Sequence, residues 1–275
     1  MVAPAAEKRL IGQGREAEVF LLPSDRILKL LRAEGTTERL AFEVAALEAA
    51  RFAGVRVPQV YEQVIIDGRP GIVMERVNGP DLLSAIGRQP WLVWRFGRLT
   101  GAVHAQINGV HAPTSLPRVV DVIHNALARI GRREPSIRLE WVERILARLP
   151  DGDALCHGDF HPGQLVYAGG EAAVLDWTGA KRGDALFDYA RTRVVLGMGE
   201  LPPGAPPHLR LLAAVGRRLL LTAYTRSYER HATEPVDYGR MRDWEIANLA
   251  LRLSDNIPGE RAYLLRRWRT LEALN

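Results

Sequence analysis

Apolar and polar positions alternate differently in the two parts of this chain. Over the first 77 residues the apolar positions fall in short runs bounded by turn formers. Arg9-Leu10-Ile11, Val19-Phe20-Leu21-Leu22 and Ile27-Leu28-Lys29-Leu30-Leu31 read as strands, the last two separated by Pro23-Ser24-Asp25. From 37 to 52, Leu40, Val44 and Leu47 recur at helical spacing. Val60 to Ile66 and Gly71 to Val77 predict a hairpin around Asp67-Gly68-Arg69-Pro70, and Asn78-Gly79-Pro80 breaks the pattern as a hinge would. Beyond it the period becomes helical: Leu92, Phe96, Leu99, Val103 and Ile107 form a stripe at steps of three and four. Further helices are expected over 118–130, 138–148, 184–198, 207–231, 241–254 and 259–273. The segment 155–176 interrupts them with two short strands, Leu165-Val166-Tyr167 and Ala173-Val174-Leu175. Leu201 to Pro207 reads as a loop inside the helical part, since similar helices flank it.

Composition narrows the class. The chain has 275 residues, 47% hydrophobic and 25% charged, enough for one large domain or two lobes of an ordinary globular protein. No run approaches the roughly 18 apolar residues of a membrane span. The first nine residues lack the charged-then-apolar order of a signal peptide. The one cysteine, Cys156, fits a reducing cytoplasm, so the expectation is a cytoplasmic protein with no membrane partner. The net charge of +5 is spread as scattered arginines without a long basic run, which reads as solvated surface and not as a nucleic-acid partner. Lysine is scarce, and Lys29 lies inside an apolar strand.

Candidate chemistry centres on His157-Gly158-Asp159-Phe160-His161-Pro162-Gly163-Gln164, followed by Leu175-Asp176-Trp177. Two isolated aspartates near strand ends suit phosphoryl transfer: Asp159 orients or deprotonates a hydroxyl, and Asp176 ligates a hard ion such as Mg²⁺. Gly12-Gln13-Gly14-Arg15-Glu16-Ala17-Glu18-Val19 lies between strands, where Gly12 and Gly14 let backbone amides approach phosphates; alone it is an ordinary turn. Lys29 must point to water or to a buried anion. Glu43 and Glu48 flank the apolar stripe of the 37–52 helix on opposite sides, and spacing does not choose between them as its partner. The strand end Ile72 to Gly79, with Met74, Glu75 and Val77, offers backbone to an adenine. His157 holds its loop, and His161 reads as a loop or surface histidine. Cys156 reads as a buried apolar residue, in preference to a nucleophile or a zinc ligand. Tyr224, Tyr228, Trp244 and Trp268 lie where an acceptor pocket is expected, after Asp188, but each is read as core.

These motifs, in this order, resemble the aminoglycoside phosphotransferase and choline kinase group of protein-kinase-like small-molecule kinases. The resemblance runs from Gly12 to about Asp188 and closes on Gly183-Asp184 and Asp188-Tyr189-Ala190. It implies an α+β, two-lobed fold, with a β-rich nucleotide-binding lobe at 1–77 and a helical catalytic and acceptor-binding lobe at 78–275. It implies ATP, with GTP as the alternative nucleotide, Mg²⁺, and a small-molecule hydroxyl acceptor. It selects Glu43 over Glu48, gives the Glu75 carbonyl and Val77 amide to the adenine, has Asp188 brace the catalytic loop, and makes the role of His104 structural. Three positions depart from the pattern. Ala17 stands at the third glycine-loop position, Thr178 where an acid is frequent, and Gln164 where asparagine is usual as second metal ligand. The alternatives are a nucleotide-binding protein of this fold without transferase activity, a protein kinase and a nucleic-acid binder. A protein kinase is disfavoured because no activation loop ending in Ala-Pro-Glu follows Asp176.

Overall fold

The computed structural model describes residues 9–14, 16–32, 35–134, 137–168, 170–198, 206–255 and 260–273. Five strands form an antiparallel sheet: β1 (Arg9–Gln13), β2 (Ala17–Leu22), β3 (Arg26–Leu31), β4 (Val60–Ile66) and β5 (Arg69–Glu75), in the order β1-β2-β3-β5-β4. The helix α1 (Thr37–Phe52) connects β3 to β4, with the Thr36 side chain accepting from the Arg39 amide at its N-terminus. Side chains alternate across β3. Leu28 and Leu30 join Val73 in a cluster with Phe20, Leu22, Val64 and Ile66. Ile27 and Leu31 pack with Ile72, Met74 and the α1 residues Leu40, Val44 and Leu47. Lys29 has the parity of Ile27 and Leu31, so it lies on the α1 face.

The β4–β5 turn is shorter than expected. Asp67 and Gly68 both have positive φ, 51° and 75°, and Ile66 pairs directly with Arg69. This is the two-residue turn whose twist suits a hairpin, and it draws Arg69 and Pro70 into β5. The strand also ends at Glu75, not Val77. The Glu75 amide bonds to the Gln59 carbonyl and the Arg76 amide to that of Asp25, which leaves residues 76–80 as the connector. Gly79 (φ 153°) passes so close to β7 (Leu165–Ala168) that an added Cβ would lie 2.7 Å from the Tyr167 carbonyl oxygen.

The rest is mainly helical: α2 (Leu82–Arg88), α3 (Val93–Asn108), α4 (Val119–Arg133), α5 (Glu140–Leu146), α6 (Ala185–Met198), α7 (Pro207–His231), α8 (Tyr238–Ser254) and α9 (Arg261–Glu272). Two strand pairs interrupt it: β6 (Ala154–Cys156) with β9 (Lys181–Gly183), and β7 with β8 (Glu171–Val174). Of the expected 201–207 loop, residues 201–205 lie outside the described residues; Pro206 precedes α7 and Pro207 opens it. A helical core gathers Trp141, Tyr189, Tyr224, Tyr228, Trp244 and Trp268. A second core runs from Leu40 and Ile72 on the sheet side through Leu155, Phe160, Leu165 and Trp177 to Leu82, Phe96 and Ile107. Among the described residues no helix is long and apolar enough to cross a membrane.

Candidate active site

β6 delivers the chain into the 157–161 loop beneath the sheet. Gly158 adopts φ 80°, and a Cβ there would lie 2.0 Å from the Gly179 carbonyl oxygen, so only glycine fits. Asp188, in the first turn of α6, is buried and accepts from the amides of His157 (2.7 Å) and Gly158 (2.9 Å). It also receives His104 Nε2 at 2.9 Å and Asn108 Nδ2 at 3.2 Å. Burial by itself would raise its pKa; the His104 and His157 rings and the Gly158 amide outweigh it and hold the carboxyl well below the usual range. His157 Nε2 meets the Leu175 carbonyl oxygen at 2.9 Å, so that nitrogen carries the proton and Nδ1 is left to accept from the Asp159 amide at 3.4 Å. Thr192 donates to the Phe160 carbonyl. The backbone is thus pinned on two sides, while the Asp159 side chain stays 43% exposed.

Asp176 follows β8 in a left-handed conformation (φ 57°, ψ 73°), which costs a non-glycine residue about 1–3 kcal/mol and is held by its surroundings. The Leu175 amide bonds to the Gln164 carbonyl, and Thr178 Oγ1 donates to Asp176 Oδ1 at 2.8 Å. Lys29 Nζ reaches Asp176 Oδ1 at 3.0 Å and Glu43 Oε1 at 2.6 Å. Glu48 faces solvent, so Glu43 is the acid of α1 that meets Lys29. Burial raises the pKa of Glu43 despite Lys29, and its Oε2 has no partner. For Lys29 the desolvation penalty is outweighed by the two carboxylates, which push its pKa up. Burial opposes ionisation of Asp176, and Lys29 overcomes it, so this carboxyl titrates below its usual range.

The remaining expected positions surround this pair. Gly14 closes a turn by donating its amide to the Ala17 carbonyl, and its own carbonyl takes Arg32 Nε; Gly12 sits at an irregularity in the β1–β2 ladder. Arg15 lies outside the described residues. Met74 is buried, Glu75 is half-buried at the end of β5, and Val77 is half-buried two residues beyond it. Gln164 ends a short turn at 162–164, and its side-chain amide has no hydrogen bond among the described residues. His161 sits in the loop just before the 162–164 turn, as expected. It is half-buried, its Nδ1 accepts from the Gly163 amide, and burial lowers its pKa. Cys156 is buried and desolvation raises its thiol pKa far above the usual value, which removes it as a nucleophile. Among the described residues no three His, Cys, Asp or Glu gather as a metal cluster. Tyr224, Tyr228, Trp244 and Trp268 are all core.

Sequence reasoning passed over three features. Arg191 lies three residues after Asp188, on the same face of α6, and brings Nη2 to 3.8 Å from Asp159 Oδ1. That i, i+3 spacing was the available signal. Arg56 makes a two-pronged ion pair with Glu75 and also donates to the Val57 carbonyl, which braces the end of β5. Lys181 donates to the Gly179 carbonyl beside Gly158, and burial lowers its pKa to about 8. A separate cavity of about 390 Å³ is lined by Arg193, Arg242, Glu245 and Tyr263 among others.

The sequence profile of the phosphotransferase enzyme family, APH, matches residues 8–244. The chain belongs to this family. Solved structures share the fold of this phosphotransferase at low identity. The amicoumacin kinase hAmiN, in complex with AMP-PNP, Ca²⁺ and Ami, is 14% identical over 98% of this chain and 88% of its own, with a TM-score of 0.63. A thermostable mutant of the aminoglycoside phosphotransferase APH(4)-Ia, in ternary complex with AMP-PNP and hygromycin B, is 16% identical over 96% and 92%, TM-score 0.62. A choline/ethanolamine kinase family protein from Mesorhizobium loti is 20% identical over 97% and 87%, TM-score 0.59. The family's two-lobed, protein-kinase-like architecture is therefore that of this chain. No curated protein matches it.

Proposed function

We propose that this phosphotransferase family member moves the γ-phosphoryl group of ATP to a hydroxyl of a small molecule in the cytoplasm. One observation carries the reading: Asp159 and Asp176 are half-exposed carboxylates on separately braced segments, and Lys29, tied to Glu43, lies against the second. In this reading the lobes meet near residues 77 and 78. Backbone at Gly12 and Gly14 cradles phosphates, Lys29 neutralises them, and Met74, the Glu75 carbonyl and the Val77 amide receive the adenine. The donors suit Mg²⁺: Asp176 keeps its Oδ2 beyond the Oδ1 shared with Lys29 and Thr178, and the unpartnered Gln164 amide supplies a second oxygen. These two would hold the ion, whose charge would stabilise the phosphates. Asp159 takes the proton as the acceptor oxygen bonds to the γ-phosphorus, while the bond to the bridging oxygen breaks and ADP leaves.

The test is an ATP-consumption screen over hydroxylated metabolites and antibiotics, repeated with Asp159→Asn. Turnover should fall about 10²–10⁴-fold, with AMP-PNP affinity nearly unchanged, because this carboxylate faces away from the nucleotide. Near-normal turnover removes Asp159 from its role. AMP-PNP binding without turnover of any acceptor favours the non-catalytic nucleotide binder.

A further inference from the structure

Residues of α6, α7, α8 and α9 surround the cavity of about 390 Å³, a volume within the roughly 300–1,000 Å³ of small-molecule sites. None of Lys29, Glu43, Asp159, Gln164 or Asp176 lines it. Along α6, Asp188 and Thr192 bond to the 157–161 loop, whereas Arg193, Val194 and Gly197 line the cavity. Its walls are largely aliphatic, with Val194, Leu221, Ile246 and Leu249. Its charges are unbalanced: Arg193, Arg242 and Arg267 stand against a single acid, Glu245. Arg193 Nε lies 3.5 Å from Glu245 Oε1, and its Nη1 donates to Thr225 at 3.1 Å, so these two charges partner each other. Arg242 and Arg267 are exposed and make no hydrogen bond or ion pair with any described residue. A cation entering the cavity meets two unpaired guanidiniums and no spare carboxylate. A neutral apolar molecule leaves both guanidiniums unused. An amphipathic anion uses the aliphatic wall for its body and the planar donors for its head.

We propose that this cavity is a second binding site, distinct from the candidate active site, for a small amphipathic anion. Its apolar body lies against α6 and α8, and Arg242 and Arg267 hold its carboxylate or phosphate head. The site stands independently of the phosphotransferase reading. Calorimetry on the full chain tests it with decanoate, decyl phosphate, 1-decanol, decyltrimethylammonium and acetate, each kept below its micelle concentration. At least one of the two long anions should bind about tenfold or more tighter than the alcohol and the ammonium, and their order separates a carboxylate head from a phosphate. Acetate has a head without a body and should bind about tenfold or more weaker than the better long anion. Arg242→Gln and Arg267→Gln should each weaken that anion about tenfold, the usual scale for a lost charged hydrogen bond. Neither change removes an internal hydrogen bond or ion pair, so both variants should fold. Gly197→Phe narrows the cavity from its α6 wall. A Cβ at Gly197 meets nothing within 4 Å, so the helix accepts the new side chain. Binding should again fall about tenfold or more. No binding of either long anion, the ammonium binding as tightly as the anions, or anion affinity unchanged in all three variants overturns the proposal. Anion binding lost in Asp159→Asn overturns it as well, because the ligand then occupies the candidate active site.

Discussion

Asp188 shows how one buried side chain organises a site it never touches. Its two oxygens accept from His104, Asn108 and the amides of His157 and Gly158, all donors. Asp188→Asn keeps the shape but turns one acceptor into a donor facing donors. At pH 7 that should cost about 3–5 kcal/mol, as breaking a buried charged network does, measured by urea denaturation. The sign with pH follows from a folded pKa lying below the unfolded one. Asp188 contributes its full stabilisation above the ordinary carboxylate range and loses it as pH falls toward the folded value. The gap between wild type and variant should therefore narrow on acidification below about pH 4. An equal gap at pH 7 and pH 3 would show that the network does not depend on the charge.

At the scale of elements, the 157–161 loop is a short connector clamped by neighbours: α6 through Asp188 and Thr192, the segment after β8 through His157 and Leu175, and the 177–179 turn through close packing on Gly158. Gly158→Ala must move the loop, because the new methyl would collide with the Gly179 carbonyl. Gly170→Ala supplies the control, since Gly170 also has positive φ (93°) but nothing within 4 Å of its added Cβ. The control should lose about 1–2 kcal/mol from conformation alone. Gly158→Ala should lose more and should abolish turnover while AMP-PNP still binds. Equal thermal midpoints for the two variants would mean the loop yields freely. Elements with a clear period were legible in the sequence: β2, β3, α1, α3 and α7 lie within a residue or two of their expected positions. β6 and β9 were not named, because three residues cannot display a period and Lys181-Arg182-Gly183 is polar. α2 has seven residues and starts from an Asp81 cap directly after the Asn78-Gly79-Pro80 break, too short to display a period. The choice of Glu43 over Glu48 and the bracing by Asp188 came through family resemblance, since helical spacing gives a face but not the partner across from it. Arg191 escaped notice because a helix arginine ordinarily faces water, and only the packing of α6 on the loop turns it toward Asp159.

Across the whole molecule, Lys29 is the residue through which the sheet, α1 and the segment after β8 meet electrostatically. Lys29→Met separates this structural role from nucleotide binding. Without the ammonium, Glu43 is left buried with no cation, and its pKa, already raised by burial, rises further. A carboxyl whose folded pKa exceeds its unfolded one contributes stability below the ordinary range, and that stability is lost as pH rises through the folded value. The variant should thus be close to wild type near pH 4 and weaker by about 3–5 kcal/mol at pH 7. Lys29→Met combined with Glu43→Gln removes the stranded charge and should recover most of the stability at pH 7, with little remaining pH dependence. Nucleotide binding should not recover with it. Both variants lack the ammonium, so AMP-PNP should bind more weakly than to wild type while adenosine, which has no phosphates, binds nearly as before. Denaturation at pH 4 and pH 7, with calorimetry for the two ligands, measures both effects. Failure of Glu43→Gln to restore stability would show that the ion pair does not couple the two lobes. Restored stability together with restored AMP-PNP affinity would show that Lys29 is a structural cation and not the residue that holds the phosphates.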